Sequence, residues 1–160
     1  MGLEQDIHQN TFQNAKQKAM INLLFTYGWA IEKIKTFLSE EDITHQQFNI
    51  LRILRGAYPE PLSTLQIRER MLDKASDTSR IVDRLILKDL VKKTTCPKDK
   101  RLVDVVITDK GLSLLKKLDT QSDAMDGVMK NLTDKEAGHL SDLLDKLRAV
   151  EDVRSEIEIT

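Results

Sequence analysis

Phe12, Ala15, Ala19, Leu23, Leu24, Tyr27, Ala30, Ile31, Ile34, Phe37 and Leu38 recur at steps of three and four residues. That spacing predicts an amphipathic helix of about seven turns. A helix this long on a small protein extends past a single core, so part of its apolar stripe is expected to meet a partner. Thr44 stands three residues before Gln47, the spacing of a capping box, and opens a second helix through Phe48, Leu51 and Leu54. Gly56 is expected to close it, and Tyr58-Pro59-Glu60-Pro61 to form the connection, since each proline disfavours helix at the residue before it. Ser63 with Gln66 repeats the box and starts a short helix carrying Leu65, Ile67, Met71 and Leu72. A turn through Asp73 and Lys74 leads to a third short helix, from about Ser76 to Lys88.

The period then changes. Val91 to Thr95 and Leu102 to Ile107 are β-branched runs joined by Cys96-Pro97-Lys98-Asp99-Lys100-Arg101, which reads as a β-hairpin around a charged loop. Thr108 caps a further helix with Leu112, Leu115 and Leu118. Thr133 and Glu136 form a third capping box ahead of a last helix through Leu140, Leu143, Leu144, Leu147, Val150 and Val153. Three short helices followed by a strand hairpin predict a mainly α fold, a winged helix-turn-helix with a two-stranded β wing. In that layout the third helix enters the major groove of DNA and the hairpin reaches the adjoining backbone or minor groove.

Projection at about 100° per residue sorts the third helix into two faces. Ile81, Val82, Leu85 and Ile86 share one side with Thr78, while Ser76, Asp77, Arg80 and Arg84 lie opposite, with Lys88 continuing the strip. The apolar side can pack on the two preceding helices and leave hydroxyls and two guanidiniums for a groove, where Arg suits bidentate contact with guanine or phosphate. The loop Lys98-Asp99-Lys100-Arg101 sets three cations on a turn that can enter a minor groove, with Asp99 placed to orient Arg101.

The formal net charge of −1 conceals a segregation. From Gln66 to Lys117 there are 14 Lys or Arg against 8 Asp or Glu, and 11 against 18 elsewhere, so a basic middle stands between acidic flanks and suggests a polyanion partner. No apolar run approaches the roughly 18 residues of a membrane span. Glu4 and Asp6 follow Met1 where a signal peptide would carry a basic run and an apolar stretch, so none is expected. The single cysteine, Cys96, excludes an intramolecular disulfide and fits the cytoplasm. His8, His45 and His139 form no metal-spaced pair with Cys96, and phosphate loops, nucleophile elbows and HExxH are missing. Neither an enzyme nor a metal or cofactor is expected.

Thr44-His45-Gln46-Gln47-Phe48-Asn49-Ile50-Leu51, then Ser79-Arg80-Ile81-Val82-Asp83-Arg84-Leu85, then Pro97-Lys98-Asp99-Lys100-Arg101 running to Thr108-Asp109-Lys110-Gly111, resemble the MarR family of bacterial transcription regulators. The resemblance runs from the first helix to the last. It implies a homodimer of triangular outline whose N- and C-terminal helices interlock, with small phenolic or lipophilic ligands binding between the dimerisation and DNA-binding lobes. It also implies that Ser76, Asp77, Ser79, Arg80 and Arg84 lie in the DNA-reading helix and that Asp99 and Arg101 form the wing-tip pair. Asp89 stands where the family commonly has Gly, and Arg68 where Ala is usual. The hydroperoxide-sensing branch keeps its reactive cysteine in the first helix, where this chain has none.

The expected organisation is a dimerisation helix over residues 1–43, a DNA-binding lobe over 44–108 and dimerisation helices over 109–160. The expected function is a sequence-specific, ligand-relieved repressor. Its DNA contacts are Ser76, Asp77, Ser79, Arg80, Arg84, Lys98, Asp99, Lys100 and Arg101, and its partners are a pseudo-palindromic double-stranded operator, a second copy of itself and a small effector. The apolar stripes from Phe12 to Leu38 and from Leu140 to Val153 argue independently for the second copy, because one small lobe cannot cover both. Two alternatives stay open: redox sensing, with Lys93, Lys98 and Lys100 lowering the Cys96 thiol pKa, and a winged-helix module that binds protein.

Overall fold

Apolar positions three and four apart in the middle of the chain converge on one interior. The computed structural model of the protein describes residues 2–95, 103–121 and 127–155. They form α1 (Leu3–Asp6), α2 (Ala15–Ser39), α3 (His45–Ala57), β1 (Leu62–Ser63), α4 (Thr64–Arg70), α5 (Thr78–Leu87), β2 (Val91–Thr95), β3 (Val103–Ile107), α6 (Asp109–Thr120) and α7 (Asp134–Ser155). The chain divides into two units, Met1–Ser122 and Asp123–Thr160. In the first, Leu38 of α2, Ile50, Leu51 and Leu54 of α3, Ile67 of α4, Leu85 of α5 and Leu115 of α6 are buried. Each such side chain contributes about 1.5–3 kcal/mol when fully buried. In the second, α7 is opened by its capping box. Glu136 N donates to Thr133 Oγ1 at 3.3 Å, and Thr133 N donates back to the Glu136 carboxylate at 2.8 Å.

The other two boxes form as expected, Thr44 with Gln47 and Ser63 with Gln66, and Thr108 caps α6 by accepting from Gly111 N at 3.1 Å. Three expectations are corrected. The second helix runs through Gly56 to Ala57, and the stop comes from Pro59, which holds Tyr58 in an extended conformation at ψ 136°. The third short helix begins at Thr78, two residues later than Ser76, because Asp77 takes the N-cap and accepts from Arg80 N at 3.1 Å. The wing has a third strand. β1 pairs antiparallel with β3 through Leu62↔Val105 and Ser63↔Asp104, giving the sheet order β1-β3-β2. Two prolines leave this segment extended, and two residues are too short to show an alternating pattern.

The hairpin pairing is as expected, from Val91↔Ile107 to Thr95↔Val103. Its junction with α5 is closely fitted. Asp89 sits at φ 59°, with Asp89 N donating to Ile86 O at 2.9 Å and Leu90 N to Leu85 O at 3.1 Å. This is a Schellman ending, and its C3 and C″ residues, Leu85 and Leu90, are both buried. The Asp89 carbonyl accepts from Thr108 Oγ1 at 2.7 Å and the Leu90 carbonyl from Thr108 N at 3.1 Å. A Cβ on Gly111 would meet Leu90 O at 2.4 Å and Ile107 Cγ1 at 2.6 Å.

A Gly111→Ala substitution is therefore expected to destabilise the protein by about 1–3 kcal/mol, the usual cost of overpacking. Chemical denaturation checks this, and an unchanged midpoint would mean that the α5–wing–α6 junction has slack.

Candidate nucleic-acid interface

Helix α5 is two-faced, as its projection predicts. Thr78, Val82 and Leu85 are buried, and Ile81 and Ile86 are half-buried. Ser79, Arg80, Asp83 and Arg84 are exposed. Arg80 and Arg84 stand one turn apart and enter no salt bridge among the described residues. Their guanidiniums are thus held on a fixed helix but are uncommitted. Of the other expected contacts on this segment, Ser76 and Asp77 lie in the turn before the helix. Ser76 donates its hydroxyl to Asp73 at 2.8 Å. The same carboxylate accepts from Ala75 N at 3.0 Å, and these two bonds hold the Asp73 pKa below its ordinary value. Asn49 Oδ1 accepts from Leu72 N at 2.9 Å and fastens the turn to α3.

Two ion pairs tie α5 to neighbouring elements. Asp83 meets Lys93 of β2 at 2.9 Å, which ties the exposed side of the helix to the wing. At its far end Lys88 donates to the carbonyl of Asp42 and lies 3.2 Å from its carboxylate. Asp42, at φ 52°, closes α2 much as Asp89 closes α5. Both links were missed by the sequence reading. Only the opposite charges signalled them, and 46 residues separate Lys88 from Asp42.

Lys98, Asp99, Lys100, Arg101 and Cys96 lie outside the described residues. The strands that lead to them are in register. Two hollows flank α5. A cavity of about 480 Å³ between α4 and the start of α5 is lined by Thr64, Leu65, Arg68 and the segment 75–79. A second, of about 710 Å³, lies against the other end of α5 and includes Lys35, Asp42, His45, Arg84, Leu87 and Lys88. Burial and the Lys35 ammonium push the His45 pKa below its usual value against the opposing pull of Asp73. Burial and Lys35 both favour the neutral imidazole. Among the described residues no cluster of His, Cys, Asp or Glu could hold a metal ion, and no helix is long and apolar enough to cross a membrane.

A model of the MarR family matches residues 43–103, the span from the α2–α3 turn to the start of β3. No curated protein matches the chain. Among solved structures, a MarR transcription factor from Planctomyces limnophilus is 33% identical, with 89% of this chain and 99% of that one covered at a TM-score of 0.63. A cysteine-to-serine variant of MarR from E. coli, complexed with operator DNA, is 25% identical over 92% of this chain and 99% of that one, at a TM-score of 0.70. BpsR from Bordetella bronchiseptica, whose DNA binding is regulated by 6-hydroxynicotinic acid, shares the fold at 20% identity and a TM-score of 0.72, over 86% and 97% of the two chains. Its match in fold, its basic two-faced helix and its sequence identity over nearly the whole of a relative place this chain in the MarR family of transcription regulators.

Proposed function

We propose that the protein is a homodimeric repressor that reads a pseudo-palindromic operator through α5, with the wing on the flanking backbone, and releases it when a small effector binds. The observation that carries this reading is the pairing of a locked inner face on α5, Val82 and Leu85, with two uncommitted guanidiniums, Arg80 and Arg84, on its outer face. Fixed placement matters because base readout needs side chains delivered at defined positions along a groove. Ser79 joins the arginines on the groove side. Asp77 supports them as a cap, and Ser76 through its bond to Asp73. On this reading Lys98, Asp99, Lys100 and Arg101 supply the wing's contact with the flanking backbone or minor groove, and the cytoplasm is the compartment.

The second copy is supported by α2. Residues 22–29 are exposed on every side of the helix, including Leu24 at 63%, Tyr27 at 62% and Trp29 at 44%. An exposed apolar band of this kind marks an interaction surface. Leu143 and Leu147 of α7 are also exposed. A two-fold axis covers such surfaces in the commonest way and sets two copies of α5 about 34 Å apart.

The effector reading draws on the 710 Å³ cavity, within the usual size range for small ligands. Arg84, which forms no salt bridge among the described residues, suits an acidic group of a small effector there, and its use on both the cavity and the groove couples the two events. BpsR, of the same fold, is regulated by a compound of that chemistry.

Arg80→Ala or Arg84→Ala is expected to cost about 1–3 kcal/mol on the operator and to relax preference at one position per half-site. Binding to a panel of single-base operator variants checks this. Equal losses on operator and random DNA would reassign that arginine to phosphate contact. Sedimentation of the free protein should give a dimer at micromolar concentration, and Leu24→Glu with Tyr27→Glu should give a folded monomer with much weaker operator binding. A stable wild-type monomer would remove the dimer from the account.

A further inference from the structure

The outer face of the β2–β3 hairpin carries a cavity of about 540 Å³ that shares no residue with the two hollows beside α5. Lys92 and Thr94 alternate along β2 and Val106 pairs with Lys92, so all three belong to this one face. Antiparallel hairpins commonly leave such a face to water, yet Val106 is buried here, as is Val105 on the inner face. Tyr58, Pro59 and Pro61, from the connection ahead of β1, line the cavity with Val106 and give it an apolar part. The Tyr58 ring is 49% exposed. Thr108, Asp109 and Lys110 bring in the start of α6. The charges on this lining are uncommitted. Lys92 and Asp109 are exposed and enter no salt bridge among the described residues. Lys110 gives one ammonium donor to the Lys88 carbonyl at 2.8 Å and keeps its other donors.

We propose that this cavity binds a free α-amino acid with an aromatic side chain. Its carboxylate meets the Lys92 and Lys110 ammoniums, its ammonium meets the Asp109 carboxylate, and its ring lies against Tyr58, the prolines and Val106. The volume falls within the range of about 300–1,000 Å³ usual for small-ligand sites. An exposed tyrosine ring beside apolar walls favours an aromatic group, through offset or edge-to-face contact. The charges select the rest of the ligand. A plain acid would leave Asp109 unopposed beside its own carboxylate, and a plain amine would face two lysines with one acid to hold it. A zwitterion satisfies both signs at once. The site lies apart from Arg80 and Arg84, so the inference does not depend on the DNA-reading role of α5.

The test follows the backbone amide resonances of the full chain, free of DNA, as phenylalanine is added. The amides of Thr94, Val106 and Lys110 should shift together and saturate with one molecule per chain. Hydrocinnamate, which lacks the amino group, and phenethylamine, which lacks the carboxylate, should each bind about fivefold more weakly, the upper end for an exposed ion pair. Asp109→Asn should level phenylalanine with hydrocinnamate, and Lys92→Met should narrow its lead over phenethylamine. Tyr58→Ala should weaken phenylalanine more than it weakens alanine. In each variant the amides away from the cavity should keep their wild-type positions, which shows that the fold is retained. Shifts that do not saturate, or that gather around Arg84 instead, would overturn the site. Equal binding of phenylalanine and hydrocinnamate by the wild-type protein, or a preference that survives Asp109→Asn, would overturn the amino-acid assignment.

Discussion

Leu85 and Leu90 close the end of α5 against the interior through a Schellman ending that needs a left-handed residue between them, and Asp89 supplies it. The path of the chain out of α5, the start of the β2–β3 hairpin and the cap of α6 all depend on that corner. Its carbonyls at Asp89 and Leu90 accept from Thr108, and the backbone there leaves no room for a Cβ on Gly111. Asp at φ 59° costs something relative to glycine, about 1 kcal/mol. That cost is met by the burial of both leucines and by the two bonds from Thr108. A rigid corner of this kind lets a helix of only ten residues present side chains to a partner at fixed positions.

Much of this was readable in the sequence because it is local. Capping boxes announce themselves at a spacing of three, and the period of Val82 and Leu85 against Arg80 and Arg84 separates the two faces of α5 without any knowledge of the fold. The start of α5 was misplaced because Ser76 and Asp77 are both cap-forming residues. The choice between them falls to Asp73, which takes the Ser76 hydroxyl and leaves the cap to Asp77. Gly56 suggested a helix end, but the helix passes through it and the constraint is Pro59. The Lys88–Asp42 link and the Arg68–Thr78 cavity are products of tertiary approach, and nothing in their spacing foretold them. Lys98 to Arg101, legible as a basic loop, lie outside the described residues.

The charges acquire meaning from this geometry. The basic middle of the chain is not uniformly available: Lys88 and Lys93 are paired with Asp42 and Asp83. Among the described residues Arg68, Arg80 and Arg84 form no salt bridge, and neither do Arg70, Lys92 and Lys116. A planar guanidinium fork suits bases and phosphates, and a compact ammonium suits point contacts.

The central claim is that α5 lies in the major groove of two symmetry-related half-sites, and guanine N7 reports on that groove directly. Dimethyl sulfate protection on a fragment selected by the protein should give two clusters of protected guanines, about 10 base pairs apart and related by a dyad. Protection confined to adenine N3 in the minor groove, or a single cluster with no symmetry mate, would contradict the account.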